Sequence, residues 1–150
     1  MLKAIDRILA LAAMGLLLAL LGSVTAGVVT RAIGDPLIWT DELSRFLMIW
    51  LAAIGWMLAS RRRGHIRIRY FVDKLPGPPR QMLERLLLLA VAVFGAGLAV
   101  YGYDLVARNL DIEATTLPLS MSVMYAPVVL VGLGTTVQAL SEMFTALAPE

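Results

Sequence analysis

The sequence predicts an all-α membrane protein with four transmembrane helices and both termini in the cytoplasm. Of its 150 residues 59% are hydrophobic, and the mean hydropathy of +0.80 is well above that of soluble domains. The apolar residues form four runs, each long enough to cross a hydrocarbon layer of about 30 Å. Charged residues make up 16% of the chain and cluster in the gaps between these runs.

The four predicted spans form one membrane domain over residues 1–150 and cover about residues 8–30, 39–60, 84–106 and 121–144. The basic start of the first span, with Lys3 and Arg7, is also typical of a cleaved signal peptide. We prefer a span, because its apolar run is longer than the 7–15 residues, approximately, of a signal-peptide core. A short polar turn, Arg31–Pro36, follows it. We therefore expect the first two spans to be antiparallel neighbours.

The distribution of basic residues predicts the topology. The segment Arg61–Arg85 contains eight of the thirteen Lys and Arg residues, and Lys3 and Arg7 lie on the same side of the membrane in a four-span chain. The opposite side holds Arg31 and Arg108. Because short cytoplasmic loops are enriched in Lys and Arg, the basic segment and both termini are predicted to be cytoplasmic.

Within the basic segment, apolar residues recur at helical spacing, at Ile68, Phe71, Val72 and Leu75. This pattern predicts a short amphipathic helix that lies on the cytoplasmic membrane surface. The alternative is a solvated basic loop with scattered apolar residues. We expect eight residues to anchor the chain at this surface: Arg61, Arg62, Arg63, Gly64, His65, Arg67, Arg69 and Phe71.

The second predicted span carries charged residues at its start. At about 100° per residue, one broad face contains all three tryptophans of the chain, a carboxylate and a guanidinium. Glu42 and Arg45 are i, i+3 neighbours on this face and can pair; otherwise each needs a partner on another helix. Because a charge that faces lipid costs free energy, we expect this face to contact another protein subunit. The candidate interface residues are Trp39, Glu42, Arg45, Phe46, Trp50 and Trp56.

The remaining face of the second span and two further patterns bear on helix packing. We expect the opposite face to meet lipid, at Leu43, Leu47, Leu51, Ile54 and Leu58. Small residues at helical spacing allow helix backbones to approach closely in a membrane. Such stripes occur in the first span, at Gly15, Ala19, Gly22, Ser23 and Ala26, and in the third, at Ala92, Gly95, Ala96, Ala99 and Gly102.

The composition excludes several kinds of chemistry. The chain has no Cys and one His, so it can form neither disulfides, thiolate metal sites nor a bis-histidine haem site. No nucleophile with a base, acidic metal cluster or phosphate-binding glycine loop is present. His65 stands alone, and we interpret it as a juxtamembrane hydrogen-bonding residue rather than a proton relay. We therefore predict no enzyme activity and no cofactor, and the membrane explains the basic cluster without nucleic acid.

The four-span layout resembles the small membrane subunit (DctQ-like) of tripartite ATP-independent periplasmic (TRAP) transporters, over nearly the whole chain. The resemblance is most specific at Trp39-x-x-Glu42-x-x-Arg45 with Trp50 and Gly55, then Gly64-His65-Ile66 and Leu75-Pro76. A weaker part is Leu117-Pro118 with Tyr125 and Pro127. Two family features are absent here: no Trp occurs in residues 119–123, and Val129 stands where a Gly is common.

The resemblance implies a non-catalytic scaffold subunit of a sodium-coupled, binding-protein-dependent secondary importer for carboxylate-containing solutes, in the bacterial inner membrane. The implied partners are a large transmembrane transport subunit, a periplasmic substrate-binding protein and membrane lipid. Carried over to this sequence, it places Glu42, Arg45 and Trp50 at or near the large subunit. The outer loops, Arg31–Thr40 and Asp104–Ser120, would be accessible to the binding protein.

Two other functions are open at this point. An autonomous four-helix carrier or channel would need a polar path, and the sequence offers only the cluster Asp41, Glu42 and Arg45 at one end of the second span. A membrane enzyme or redox subunit is disfavoured by the absence of Cys and by the single His.

Overall fold

A computed structural model describes residues 2–61 and 78–145 and confirms the all-α prediction. The described residues form no β-strand and contain the helices α1 (Leu2–Ile33), α2 (Trp39–Arg61), α3 (Pro78–Arg108) and α4 (Ser122–Thr145). Each helix includes a segment long and apolar enough to cross a membrane: Ile5–Ile33, Trp39–Ser60, Met82–Arg108 and Ser122–Met143. The predicted amphipathic helix, and all the predicted anchor residues except Arg61, lie outside the described residues. The cytoplasmic location of the termini stays a prediction.

A glycine-based cap ends α1 and turns the chain towards α2. Gly34 has a φ of 92°, a conformation that glycine adopts without strain. Its N–H donates to the carbonyl of Arg31 (3.2 Å), and the N–H of Asp35 donates to the carbonyl of Thr30 (3.1 Å). These are the two hydrogen bonds of a Schellman motif. The short connection makes α1 and α2 packed neighbours, as the sequence predicted.

The helices lie in one layer, in the order α1, α2, α4, α3. Among the described helices, α1 packs on α2, α2 on α4 and α4 on α3, whereas the backbones of α1 and α4, and those of α2 and α3, do not come close together. α2 and α4 are therefore the inner helices of the layer. Its two broad faces stay open, and only 6% of the most apolar window of α1 is buried.

Small residues make the closest helix contact, between α3 and α4. A Cβ added at Gly95 would lie 2.7 Å from Oγ1 of Thr136, and one added at Gly132 would lie 2.8 Å from the carbonyl oxygen of Gly95. Neither position can hold a side chain unless the helices move apart. The predicted α3 stripe is wrong at the exposed Ala96 and confirmed at the buried positions Ala92, Gly95, Ala99 and Gly102.

The predicted α1 stripe is confirmed only near the end of the helix. Ser23 is buried where α1 meets α2, and so is Gly27, where an added Cβ would lie 2.8 Å from Oγ1 of Thr40. Gly15 and Gly22 are exposed, and an added Cβ at either would meet nothing within 4 Å. Ala19 is also exposed and Ala26 is half-buried, so Ser23 is the one fully buried residue of the predicted stripe, and the contact includes Gly27, which the stripe did not contain.

The prediction of a lipid-facing side of α2 is wrong, because α2 has a neighbouring helix on each side. Of the five residues assigned to lipid, Ile54 is buried and the other four, Leu43, Leu47, Leu51 and Leu58, are half-buried. A different line of residues is exposed along α2: Asp41, Arg45, Met48, Ala52, Gly55 and Ala59. We refer to these six residues as the open line of α2.

Candidate functional site

The charged start of α2 lies beside the loop that joins α3 to α4. Glu42 is in the first turn of α2, and its carboxylate accepts hydrogen bonds from the backbone N–H groups of Thr116 (2.6 Å), Thr115 (2.9 Å) and Leu117 (3.2 Å). The hydroxyl of Thr116 donates to the same carboxylate. Donors from three consecutive residues thus converge on one carboxylate, and Glu42 fastens this loop to α2.

The loop is a folded unit in its own right. An isolated antiparallel bridge joins its two limbs. The N–H of Ala114 donates to the carbonyl of Leu119, and the N–H of Met121 donates to the carbonyl of Ile112, each at 2.8 Å. Glu42 therefore holds a compact hairpin-like loop against the end of the helix layer.

Trp50 connects α2 to the start of α4. Its indole N–H donates to the carbonyl of Val123 at 3.1 Å. In an α-helix this carbonyl would accept from the N–H of residue 127, but residue 127 is a proline and has no N–H. Pro127 is fully buried within α4. The indole therefore supplies the donor that the helix lacks.

Two further hydrogen bonds link α2 to α4 towards the other end of the layer. The indole N–H of Trp56 donates to Oγ1 of Thr135 at 3.2 Å. The side-chain amide of Gln138 donates to the carbonyl of Ser60 at 2.6 Å. Together with Trp50, these contacts bind α2 and α4 to each other along most of their length.

The predicted ion pair between Glu42 and Arg45 is not formed. Glu42 is held by the loop, and Asp41 pairs with Arg31 at the end of α1. Arg45 is exposed, and it makes no hydrogen bond or ion pair within the part of the chain that the structure describes. The guanidinium of Arg45 is thus open to a partner from outside the described residues.

A cavity of about 270 Å³ lies between α1 and α2, and Arg45 is one of its lining residues. The hydroxyls of Ser23 (3.1 Å) and Ser44 (2.7 Å) both donate to the carbonyl of Thr40, so their protons are already engaged. The Arg31–Asp41 pair completes the charged lining. The lining therefore has a formal charge of +1, which comes from Arg45.

A wider groove of about 800 Å³ lies over α2, between α1 and α4. Its apolar lining includes Leu9, Met57 and Leu133, and its polar lining includes Gln138 and Ser141. The groove follows from the layer, in which α2 separates α1 from α4. It is an open groove and not an enclosed passage between helices.

The six predicted interface residues do not form one free surface. Three of them make contacts within the chain. Glu42 and Trp50 form hydrogen bonds to other parts of it, and Phe46 is buried. The other three are exposed: Trp39 (39%), Trp56 (46%) and Arg45. Contact of these residues with another subunit stays a prediction, and the accessible three are its best candidates.

Sequence reasoning missed the intramolecular partners of Glu42 and Trp50. One signal was present in the sequence, because Pro127 within an apolar run implies a carbonyl without its helical donor. An indole on a neighbouring helix is a suitable donor for that carbonyl. No local signal pointed to Thr115 and Thr116, which lie more than seventy positions from Glu42.

The polar side chains of the site hold the helices and the loop of this chain together. In residues 2–61 and 78–145, no group of three His, Cys, Asp or Glu side chains is placed to hold a metal ion. Among the described residues, the geometry offers a loop held by Glu42, hydrogen bonds that join α2 to α4, and an Arg45 guanidinium that has no partner there.

Comparison with known proteins gives a consistent family signal. Residues 20–148 match the family described as tripartite ATP-independent periplasmic transporters, DctQ component. The sialic acid TRAP transporter small permease protein SiaQ of Vibrio cholerae is 36% identical over 121 residues, which are 80% of this chain and 70% of SiaQ. The C4-dicarboxylate TRAP transporter small permease protein DctQ of Rhodobacter capsulatus is 29% identical over 88 residues, 59% of this chain and 39% of that protein.

A similar segment also occurs in a much longer chain. The sialic acid TRAP transporter permease protein SiaT of Haemophilus influenzae is 28% identical over 79 residues, which are 52% of this chain but only 13% of SiaT. In that protein, the similar segment is part of one long chain that is named a permease protein.

Proposed function

Because the chain belongs to the DctQ family of tripartite ATP-independent periplasmic (TRAP) transporters, we propose that it is the scaffold subunit of a solute importer. The family is a permease component of a transporter and not an enzyme. With its four membrane-length helices, the chain is a multi-pass protein of the bacterial inner membrane. In our proposal it binds and stabilises a large transmembrane transport subunit, and the solute crosses the membrane within that partner.

The single layer of helices is the observation that carries the proposal. A transport path needs polar groups enclosed by several helices, whereas the backbones of α1 and α4 do not come close together and the groove between these helices is open. A layer with two open apolar faces is instead suited to lie against another membrane protein. Apolar side chains on both outer helices supply much of this surface, for example Leu18 (67% exposed) in α1 and Phe94 (65%) in α3.

The relative with the long chain supports a physical association of small and large subunits. When a segment like this one is part of the same polypeptide as a permease, the two parts remain at high effective concentration. Separate chains must reach the same arrangement by binding. We infer that the exposed faces of α1, α2 and α3 provide that binding surface, with Trp39, Arg45 and Trp56 among the contact residues.

The solute in this proposal is a carboxylate-containing organic acid, delivered by a periplasmic binding protein and moved with sodium ions. The names of two relatives, a sialic acid and a C4-dicarboxylate TRAP transporter small permease protein, support this solute class. The loop fastened by Glu42 is the surface that we assign to the binding protein. Substrate choice and sodium coupling are assigned to the partner chains.

The alternative, an autonomous carrier or channel, has less support. It would use Asp41, Glu42 and Arg45 as its polar path. Asp41 is already paired with Arg31, and the Glu42 carboxylate is occupied by donors of the loop. Two of the three groups therefore have structural partners, and they lie at one end of the span.

Co-purification and reconstitution distinguish the two functions. The tagged chain, extracted in a mild detergent, is expected to bring down a large multi-span permease in a defined ratio. Proteoliposomes with this chain alone should not accumulate labelled sialic acid or C4-dicarboxylates under a sodium gradient, whereas those with both subunits and the binding protein should. Uptake by the chain alone, or recovery of a homo-oligomer without a permease, would contradict the scaffold function.

A further inference from the structure

We propose that Arg45 forms an ion pair with an acidic side chain of the large transport subunit, and that the cavity between α1 and α2 receives this side chain. The inference rests on the proposed function and adds the chemistry of the contact between the subunits. The partner of Arg45 then belongs to the other subunit, and it is not Glu42 of the same chain.

The position of Arg45 in the span gives the first argument. It follows Trp39, the first residue of α2, by six residues, which places it about 9 Å along the helix. An arginine at this depth can extend towards the interface, yet an unpaired charge within an apolar layer still costs free energy. A carboxylate that meets it there would remove that cost.

The neighbouring acidic groups of this chain are not available to Arg45. Asp41, one turn earlier on the same line of α2, pairs with Arg31. Glu42 accepts hydrogen bonds from three backbone N–H groups and a hydroxyl of the loop. Arg45 itself has no hydrogen bond or ion pair within the part of the chain that the structure describes. The carboxylates nearest to Arg45 on α2 therefore leave its guanidinium open to a carboxylate from outside the described residues.

The cavity fits an acidic side chain in charge and in shape. The lining has a formal charge of +1, and its serine hydroxyls already donate to Thr40. The guanidinium of Arg45 has no partner among the described residues, whereas Arg31, the other cation of the lining, pairs with Asp41. The walls beside Arg45 include Val24 and Val28 of α1, which would pack against the methylene groups of a Glu or Asp.

A transmembrane helix is the occupant that the surroundings favour. Arg45 lies on the open line of α2, which continues from it through Met48 and Ala52 to Gly55. An added Cβ at Gly55 meets nothing within 4 Å, so a partner backbone can approach closely there. A helix that follows this line would bring one of its own side chains over the cavity. A lipid phosphate is the competing occupant, and the experiment below separates the two.

The experiment measures the affinity between tagged small-subunit variants and the large permease in nanodiscs of defined lipid. Removing one partner of a desolvated charge pair costs enough to weaken binding about thirtyfold or more. Arg45→Gln should therefore raise the Kd at least that much, Arg45→Glu should raise it further, and Arg45→Lys should bring back most of the affinity. Arg108→Gln is the matched control, because Arg108 is exposed and pairs only with Asp104 on its own helix (2.8 Å). It should change the Kd less than threefold.

Two measurements keep folding apart from binding. Because Arg45 has no partner among the described residues, the thermal unfolding midpoint of the isolated Arg45→Gln chain should equal that of the wild type. The second measurement is a charge swap, in which acidic residues of the large permease are changed to Arg one at a time. One of these permease variants should bind the Arg45→Glu small subunit again. The acidic residue changed in that variant is the expected occupant of the cavity.

Three outcomes would overturn the inference. The first is unchanged affinity of Arg45→Gln and Arg45→Glu for the large permease. The second concerns lipid: the Arg45→Gln complex contains one bound phospholipid fewer than the wild-type complex, and the delipidated wild-type subunits regain their affinity when phosphatidylglycerol is added back. This result would assign the cavity to a lipid phosphate. In the third, the wild-type chain itself does not bind the permease, and the proposed function fails along with the inference.

Discussion

The indole N–H of Trp50 donates to the carbonyl of Val123, which lacks its helical donor because residue 127 is a proline. The buried proline and the tryptophan thus form one unit although they lie on different helices. An unpaired carbonyl in an apolar environment is costly, so a proline at this position of α4 is tolerated because α2 supplies the missing donor. The same contact aligns α2 with α4 near the charged start of α2.

A double-mutant cycle tests this unit. Trp50→Phe keeps most of the ring volume but removes the N–H, and it should destabilise the chain by about 1–3 kcal/mol, the cost of leaving a buried acceptor unpaired. In a Pro127→Ala background, residue 127 regains its N–H and can donate to Val123. The effect of Trp50→Phe should therefore be at least about 1 kcal/mol smaller there. Thermal unfolding in detergent measures all four proteins.

Trp56→Phe is the control for the loss of an indole. Trp56 is 46% exposed, and its hydrogen bond to the hydroxyl of Thr135 lies at the surface of the chain and is not buried. We expect a loss below about 1 kcal/mol. Equal effects of Trp50→Phe with and without Pro127 would show that the carbonyl of Val123 does not depend on the indole.

The loop between α3 and α4 should loosen when the charge of Glu42 is removed. Hydrogen bonds to charged groups are roughly twice as strong as neutral ones, so Glu42→Gln should increase amide exchange of the loop by about tenfold. Hydrogen exchange with mass spectrometry, read on peptides that contain Thr115, Thr116 and Leu117, checks this. Glu113→Gln, an exposed change in the same loop, should have little effect on these amides. Equal exchange in both variants would mean that Glu42 does not fasten the loop.

Two Gly→Ala substitutions of the same chemistry should have opposite consequences. At Gly132 the new Cβ would lie 2.8 Å from the carbonyl oxygen of Gly95, and overpacking of this kind typically costs about 1–3 kcal/mol. At Gly55 nothing lies within 4 Å of the new Cβ, so the higher helix propensity of alanine should leave the isolated chain unchanged or slightly more stable. Thermal unfolding of the purified chain compares them, and a neutral Gly132→Ala would contradict the close contact of α3 with α4.

The predicted topology can be tested with single cysteines, because the natural chain has none. A cysteine at Asn109 should react with a membrane-impermeant maleimide when the outer membrane alone is opened. One at Gly64 should react only after the inner membrane is also disrupted, since the basic segment is predicted to be cytoplasmic. The reverse pattern would invert the topology and move the loop held by Glu42 to the cytoplasm.

The presence of the four helices could be predicted from the residues within each apolar run. Four apolar runs with charged gaps specify four helices, because a chain in lipid must satisfy its backbone hydrogen bonds within each span. The stripe of small residues in α3 could also be predicted from local spacing, because Gly95 and Ala99 lie on one helix face and allow close packing. These features depend on residues within one run, and so a single sequence contains them.

The tertiary structure alone decided which helices are neighbours and which partners each polar group takes. The helical wheel of α2 assigned Leu43 and Ile54 to lipid, but packing of α1 and α4 on both sides of α2 half-buries the first and buries the second. Glu42 could pair with Arg45 on its own helix, yet it binds Thr115 and Thr116 more than seventy positions away, where a folded loop presents several donors at once. Local spacing lists the partners that a charged group can reach on its own helix. The order of the helices in the layer determines which of all possible partners are present, and it left Arg45 without one among the described residues.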